Sequence, residues 1–296
     1  MNGEALTWND AVAIATKRFK EAGLSEANLN AEYLAMNILG IWVKSEFRKH
    51  NSDLILPEQK IKLEKLISRR LNHEPLQHII GETEFFGLRL FTSSAALIPR
   101  PDTEILVEEV LKEVKAFDGR YLHILDIGTG SGAIALALAS KLSGCIMTGI
   151  DISAEAIALA EKNKARLKIT NAAFEVLDIF ASELENRFMR RIDILVSNPP
   201  YISANEFETL DPEVRDFDPR IALTDEADGF IFYRRIAEIA PKILKKNGKI
   251  LVEVGYDNGT EVEKIFLTAG LDILRSVKDL QETPRVKVIG MNDRAK

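Results

Sequence analysis

Two hydrophobic periods divide the chain near residue 80. From Thr7 to about Leu71 the apolar positions recur at helical spacing. Ala11, Ile14, Ala15 and Phe19 share one face, Leu34, Ile38 and Leu39 a second, and Ile61, Leu63, Leu66 and Ile67 a third. This spacing predicts a small helical bundle. Around Gly87, residues 82 to 98 mix aromatic and β-branched positions, which predicts a hairpin linking two domains. From Tyr121 onward short apolar runs alternate with helical stretches, with strands expected near 122–126, 145–151, 173–177, 192–197 and 248–254. Such alternation is the mark of a doubly wound α/β fold, because neighbouring parallel strands need a crossover helix between them. Two further runs, Asp272 to Val277 and Val286 to Ile289, close the expected sheet. The expected domains are therefore 1–80, helical; 81–104, a hairpin linker; and 105–296, α/β. No internal repeat or low-complexity segment interrupts this plan.

The chemistry concentrates at two strand ends. Asn198, Pro199, Pro200 and Tyr201 follow the apolar run Ile192 to Ser197. Consecutive prolines fix φ and remove two backbone donors, so the Pro199 carbonyl and the Asn198 carboxamide are held out from the strand end. A planar NH2 group, such as a glutamine side chain or an adenine amine, can donate to both acceptors while Tyr201 covers its face. Upstream, Leu122 to Ile127 lead into Gly128, Thr129, Gly130, Ser131, Gly132 and Ala133, a strand, glycine-rich turn and helix start. Glycine there lets backbone approach a ligand, and the helix opens with free N–H groups. Gly128, Gly130 and Ala133 also fit a dinucleotide fingerprint. Asp126 before the first glycine, and Asp151 closing the next strand, set one carboxylate near a ligand amine and another near a ribose diol. Those are polar handles of S-adenosylmethionine. Asp178 and Ile179 end the following strand and would flank the adenine.

Composition narrows the choice. With 296 residues and 46% hydrophobic content, the chain can bury the core of one large and one small domain. The net charge of −6 argues against broad nucleic-acid binding, and the acidic excess lies beyond Gly81. A basic protein substrate suits it better. The one cysteine, Cys145, lies in an apolar strand pattern and reads as a buried thiol in a reducing compartment. No apolar run approaches membrane-spanning length, and the opening residues, with Glu4 and Asp10, lack a signal-peptide core, so a cytoplasmic location is expected. His50, His73, His78 and His123 show no metal-ligand spacing, and no metal is expected.

The order of motifs resembles one family. Gly81 to Gly87 lead to Leu97, Ile98, Pro99, Arg100, Pro101, Asp102, Thr103 and Glu104; then come Asp126 to Gly132, Asp151, and Asn198 to Tyr201. Pro212 to Asp216, Pro219, Arg220, Ala222 and Leu223, and then Asp228, Gly229 and Phe232 to Ile236, continue the pattern. Over nearly its whole length the chain resembles the peptide chain release factor N(5)-glutamine methyltransferases. Asn-Pro-Pro-Tyr alone is shared with adenine amino-methyltransferases, whereas the Ile98 to Glu104 segment is much more specific. The resemblance implies a Rossmann-like class I fold with a seven-stranded, mostly parallel sheet ending in an antiparallel hairpin. It implies S-adenosylmethionine as methyl donor, S-adenosylhomocysteine as product, and a monomer whose partners are class 1 release factors, with neither nucleic acid nor membrane contacted. It places Pro99, Arg100 and Glu104 at the pocket mouth, with Arg100 a substrate contact, and the family often carries an aromatic where this chain has Ile179.

Simpler roles stand beside these. The three glycines could merely pack helix on strand, Asp151 could cap the helix beginning at Ala154, Arg100 could form a surface ion pair, and Tyr201 could close the core. Competing functions are methylation of a ribosomal-protein glutamine or of adenine, a nicotinamide-dependent oxidoreductase, and a non-catalytic module on the ribosome. The adenine enzyme should carry a basic recognition region, and the nearly neutral helical part does not look like one. The oxidoreductase leaves Asn198 to Tyr201 without a role.

Overall fold

A computed structural model describes residues 6–117 and 121–292. The described residues form two compact units, 6–82 with Pro212–Phe217, and the remaining described residues between 83 and 292.

The first unit holds helices α1 (Trp8–Glu21), α2 (Ala27–Leu39), α3 (Lys44–Phe47), α4 (Pro57–Leu71) and α5 (Leu76–Ile80). Thr7 and Asp10 cap α1 reciprocally: the Thr7 hydroxyl accepts the Asp10 amide at 3.2 Å, and the Asp10 carboxylate accepts the Thr7 amide at 3.1 Å. Trp8, Phe19, Leu34, Met36 and Ile67 form its core. Ile61 departs from the expected face and is 60% exposed. The buried stripe of α4 is Leu63, Ile67 and Arg70, spaced i, i+4, i+7, and position 61 lies about half a turn away from it. Arg70 is buried because its guanidinium is fully engaged, donating to Asn30 Oδ1 at 2.7 Å, the Glu74 carbonyl at 2.9 Å and Glu213 at 2.6 Å. That last bond ties Pro212–Phe217, expected within the α/β domain, to the helices.

The second unit opens at Thr83, inside the hairpin of β1 (Glu82–Phe85) and β2 (Leu88–Phe91), which are joined through Phe86 and Gly87, both with positive φ. Two such residues in succession match the twist of a two-residue hairpin. The hairpin is part of this unit rather than a separate linker, because Phe85 and Leu90 are buried in the same cluster as Leu106 and Val107. Then follow α6 (Thr103–Val114), β3 (Leu122–Ile127), α7 (Ala133–Lys141), β4 (Cys145–Asp151), α8 (Ala154–Leu167), β5 (Ala172–Val176), α9 (Glu183–Phe188) and β6 (Ile192–Ser197). The remainder of the chain is α10 (Ala204–Phe207), α11 (Pro212–Arg215), which clusters with the first unit, α12 (Arg220–Leu223), α13 (Ile231–Ile243), β7 (Leu244–Glu253), α14 (Gly259–Thr268), β8 (Leu271–Lys278) and β9 (Pro284–Met291).

The seven strands β3 to β9 form one sheet in the order β5-β4-β3-β6-β7-β9-β8, parallel through β7 and antiparallel where β9 joins β7 and β8. Alternate side chains feed two cores. Ile124, Ile194, Val196 and Leu251 pack on one face with α6 and α7, while Leu125, Ile127, Leu195, Ile250 and Val252 pack on the other with α13. Between β3 and β6 the chain reverses its direction of winding, which opens a crevice at their carboxyl ends.

Candidate active site

A cavity fills that crevice. It is lined by Ile127 to Ser131 after β3, Asp151 to Ser153 after β4, Leu177 to Phe180 after β5 and Ser197 to Pro200 after β6, with Pro99, Arg100, Thr103, Ile221 and Phe232 across from them. Parallel strands deliver all four tips to one edge. Ser197 fixes the two central tips together, its hydroxyl donating to the Ile127 carbonyl at 2.7 Å.

The glycine turn is held against β4. The amides of Gly128 and Thr129 both donate to the Ile150 carbonyl, at 2.9 and 3.0 Å, and the Gly130 amide donates to Asp151 Oδ2 at 2.9 Å. Oδ1 of Asp151 accepts the Ser153 amide at 2.9 Å. The cap of α8 is Ser153, whose hydroxyl accepts the Ala156 amide at 3.1 Å, so Asp151 is released from capping and lines the cavity. An added Cβ at Gly128 meets nothing within 4 Å, and one at Gly130 comes no closer than Ala96 Cβ at 3.6 Å.

Three residues expected in the pocket lie elsewhere. Asp126 does not line the cavity; it is 2% exposed and sits beneath the turn, accepting the Thr129 hydroxyl at 2.6 Å. Burial pushes its carboxyl up to about 7, against the lowering effect of Thr129. Along a strand successive side chains alternate, so with Ile127 at the cavity Asp126 points the other way. Gly132 serves packing, since a Cβ there would meet Phe174 Cζ at 3.0 Å and Ala160 Cβ at 3.1 Å. Tyr201 also stands outside the cavity lining: its ring covers Gly255, whose added Cβ would meet Tyr201 Cδ2 at 3.0 Å, and burial pushes its hydroxyl up to about 12.

At the mouth, Arg100 lines the cavity and donates from Nη2 to Asp218 at 2.6 Å, a carboxylate with no exposed side-chain surface. Glu104 instead accepts the Phe86 amide of the hairpin at 2.8 Å, and it lies outside the cavity lining. Asp178 and Ile179 are at the cavity, joined by a residue that no sequence motif marks: Phe180, 47% exposed, whose ring lies 5.7 Å from that of Phe232. Ile152 is a second such residue, half exposed beside Asp151.

Beside the clamp residues lies a buried acid that spacing did not reveal. Glu253 ends β7 and is 3% exposed. Burial pushes its carboxyl up to about 7; hydrogen bonding from Thr103, the positive charge of Arg285 and hydrogen bonding from Asn198 oppose that rise. Asn198 Nδ2 donates to Thr103 Oγ1 at 3.2 Å.

A carboxylate, open glycine backbone and apolar walls around one crevice fit a nucleoside joined to an amino acid. The sheet order with its terminal antiparallel pair and this site define a Rossmann-like class I methyltransferase that uses S-adenosylmethionine. Residues 119–283 match the family described as a methyltransferase domain, and residues 10–81 match the PrmC N-terminal domain. The release factor glutamine methyltransferase of Fusobacterium nucleatum is 41% identical over 90% of this chain and 74% of its own; that of Agrobacterium fabrum is 38% identical over 96% and 97%. A solved protein-(glutamine-N5) methyltransferase from Alicyclobacillus acidocaldarius is 30% identical over 66% of this chain and 94% of its own, with a TM-score of 0.41. The chain belongs to the release factor glutamine methyltransferase family.

Proposed function

We propose that this enzyme methylates the side-chain amide nitrogen of the glutamine in the Gly-Gly-Gln loop of class 1 translation release factors, acting as a cytoplasmic monomer. The observation that carries the reading is that Asn198, Pro199 and Pro200 line the same cavity as the Gly128–Ser131 turn and Asp151. An amide clamp and a cofactor cradle are thus joined in one crevice. The helical unit takes the role of recognising the release factor outside its glutamine loop.

Asp151 would hold the ribose diol, and the amides of the glycine turn the amino-acid portion of the donor. Ile152, Ile179 and Phe180 would enclose the adenine. S-adenosylmethionine supplies a methyl group on a sulfonium sulfur, which departs with the C–S electron pair as the thioether of S-adenosylhomocysteine. An amide nitrogen is a weak nucleophile because its lone pair is delocalised into the carbonyl. Asn198 Oδ1 and the Pro199 carbonyl accept its two hydrogens, which favours a pyramidal nitrogen and stabilises the positive charge that develops on it. The new C–N bond forms and the amide proton leaves to water. Pro200, Ile221 and Phe232 line the cavity around the clamp and would hold the glutamine in line.

The test is transfer of labelled methyl to purified release factor beside a form whose Gly-Gly-Gln glutamine is replaced by alanine. Incorporation into the native factor alone supports the reading. Labelling of a ribosomal protein or nucleic acid in its place overturns the substrate.

A further inference from the structure

We infer that Glu253 is a positioning residue that sets which end of the Asn198 carboxamide faces the substrate. It goes beyond the clamp described above and rests on that reading. The β6–β7 register pairs Ser197 with Val252, so the next residues out, Asn198 and Glu253, stand side by side at the sheet edge. Thr103, the first residue of α6, joins them: its Oγ1 accepts the Asn198 Nδ2 hydrogen at 3.2 Å. A hydroxyl that accepts there must send its own proton elsewhere, and the acceptor beside it is the Glu253 carboxylate.

The direction of this chain follows from the acid. An ionised carboxylate only accepts, so Thr103 donates to Glu253 and must accept from Asn198. The Asn198 nitrogen is thereby turned toward Thr103 and Glu253, and Oδ1 is left for the cavity that Asn198 lines. A clamp for an NH2 group needs that oxygen. With the acid removed or protonated, Thr103 is free to donate to Asn198, the carboxamide turns over, and an NH2 group meets the substrate NH2. Glu253 itself lies outside the cavity lining and acts only through Asn198.

The setting keeps the acid responsive. The charged groups facing it are Asp102 before α6 and Arg285 on β9, which pair at 3.1 Å, with Tyr201 adjoining; Tyr233 donates its hydroxyl to the Glu253 carbonyl at 2.8 Å. One carboxylate oxygen, Oε2, is buried without a hydrogen-bond partner. Ionisation in such a place is only weakly supported, and the carboxyl titrates near 7.

Turnover of release factor and binding of S-adenosylhomocysteine, each measured across pH 5.5 to 9, test the inference. Glu253→Leu should lower kcat at pH 8 at least tenfold with cofactor affinity and KM within about twofold. Wild-type kcat should fall on the acid side near neutrality, and Glu253→Gln should restore part of the loss and abolish that acid limb. Thr103→Val, which removes the relaying hydroxyl without changing volume, should lower kcat like Glu253→Leu; combined with it, the loss should be less than the product of the two. Wild-type kcat in Glu253→Leu, or an acid limb that persists unchanged in Glu253→Gln, overturns the role. If Glu253→Leu fails to bind S-adenosylhomocysteine, Thr103→Val decides, and wild-type kcat there overturns it. Wild-type enzyme inactive on release factor would instead refute the substrate reading, a result separable from all of these.

Discussion

Asp151 and Gly130 hold each other in place: the strand-end carboxylate accepts the turn amide at 2.9 Å through Oδ2, and its other oxygen accepts the Ser153 amide. The acid is thus oriented by backbone before any ligand arrives. Both oxygens keep further lone pairs with which to accept hydroxyl donors.

Replacing Asp151 with alanine should weaken S-adenosylhomocysteine binding about ten- to a hundredfold, the worth of hydrogen bonds to a charged group. Calorimetry reads this directly. Unchanged affinity would take Asp151 out of the ribose site.

Asn198→Ala should lower turnover by roughly two to three orders of magnitude, the usual cost of one preorganised group at a developing charge. Cofactor affinity should stay within a few fold, since the turn and Asp151 are untouched. A variant with wild-type kcat would dismiss the clamp.

Gly149 on β4 tolerates no side chain, because an added Cβ would fall 2.6 Å from both Phe174 Cδ1 and Thr129 Oγ1. Gly149→Ala should therefore destabilise the second unit by about 1–3 kcal/mol, the cost of overpacking. A urea midpoint equal to that of wild type would contradict this close packing.

Asp126 gives stability a pH dependence. Its folded-state carboxyl titrates near 7, above the ordinary 3.8, so between those values the folded protein holds a proton that the unfolded chain has lost. Stability from this group is fully present below about pH 4 and declines as pH rises to about 7. Asp126→Asn keeps an acceptor for Thr129 and cannot ionise; its unfolding free energy should fall less steeply across that window. An unaltered slope would show that Asp126 is not the titrating group.

Much of this architecture was legible in periodicity. The runs ending at Ile127, Asp151 and Ser197 are mostly apolar, and each is a strand of the sheet. Less legible was the side to which each tip residue points. Asp126 and Ile127 are equally plausible pocket residues in a string of letters, yet only the second lines the cavity, because alternation gives each side chain one face. Phe180, Glu253 and Asp218 escaped for a different reason: their importance comes from neighbours distant in sequence, such as Arg100 for Asp218 at a separation of 118 residues. Burial of a charge is likewise invisible to composition, as Arg70 shows, since its partners Asn30 and Glu213 lie 40 and 143 residues away.

The bond from Ser197 to Ile127 closes a separation of 70 residues between the two central tips. Synthesis proceeds from the amino end, so a growing chain completes the glycine turn and Asp151 well before the strand that carries Asn198 exists. Cofactor cradle and acceptor clamp therefore meet only through the pairing of β6 with β3, and a chain ending before β6 lacks the clamp residues Asn198 to Pro200 altogether.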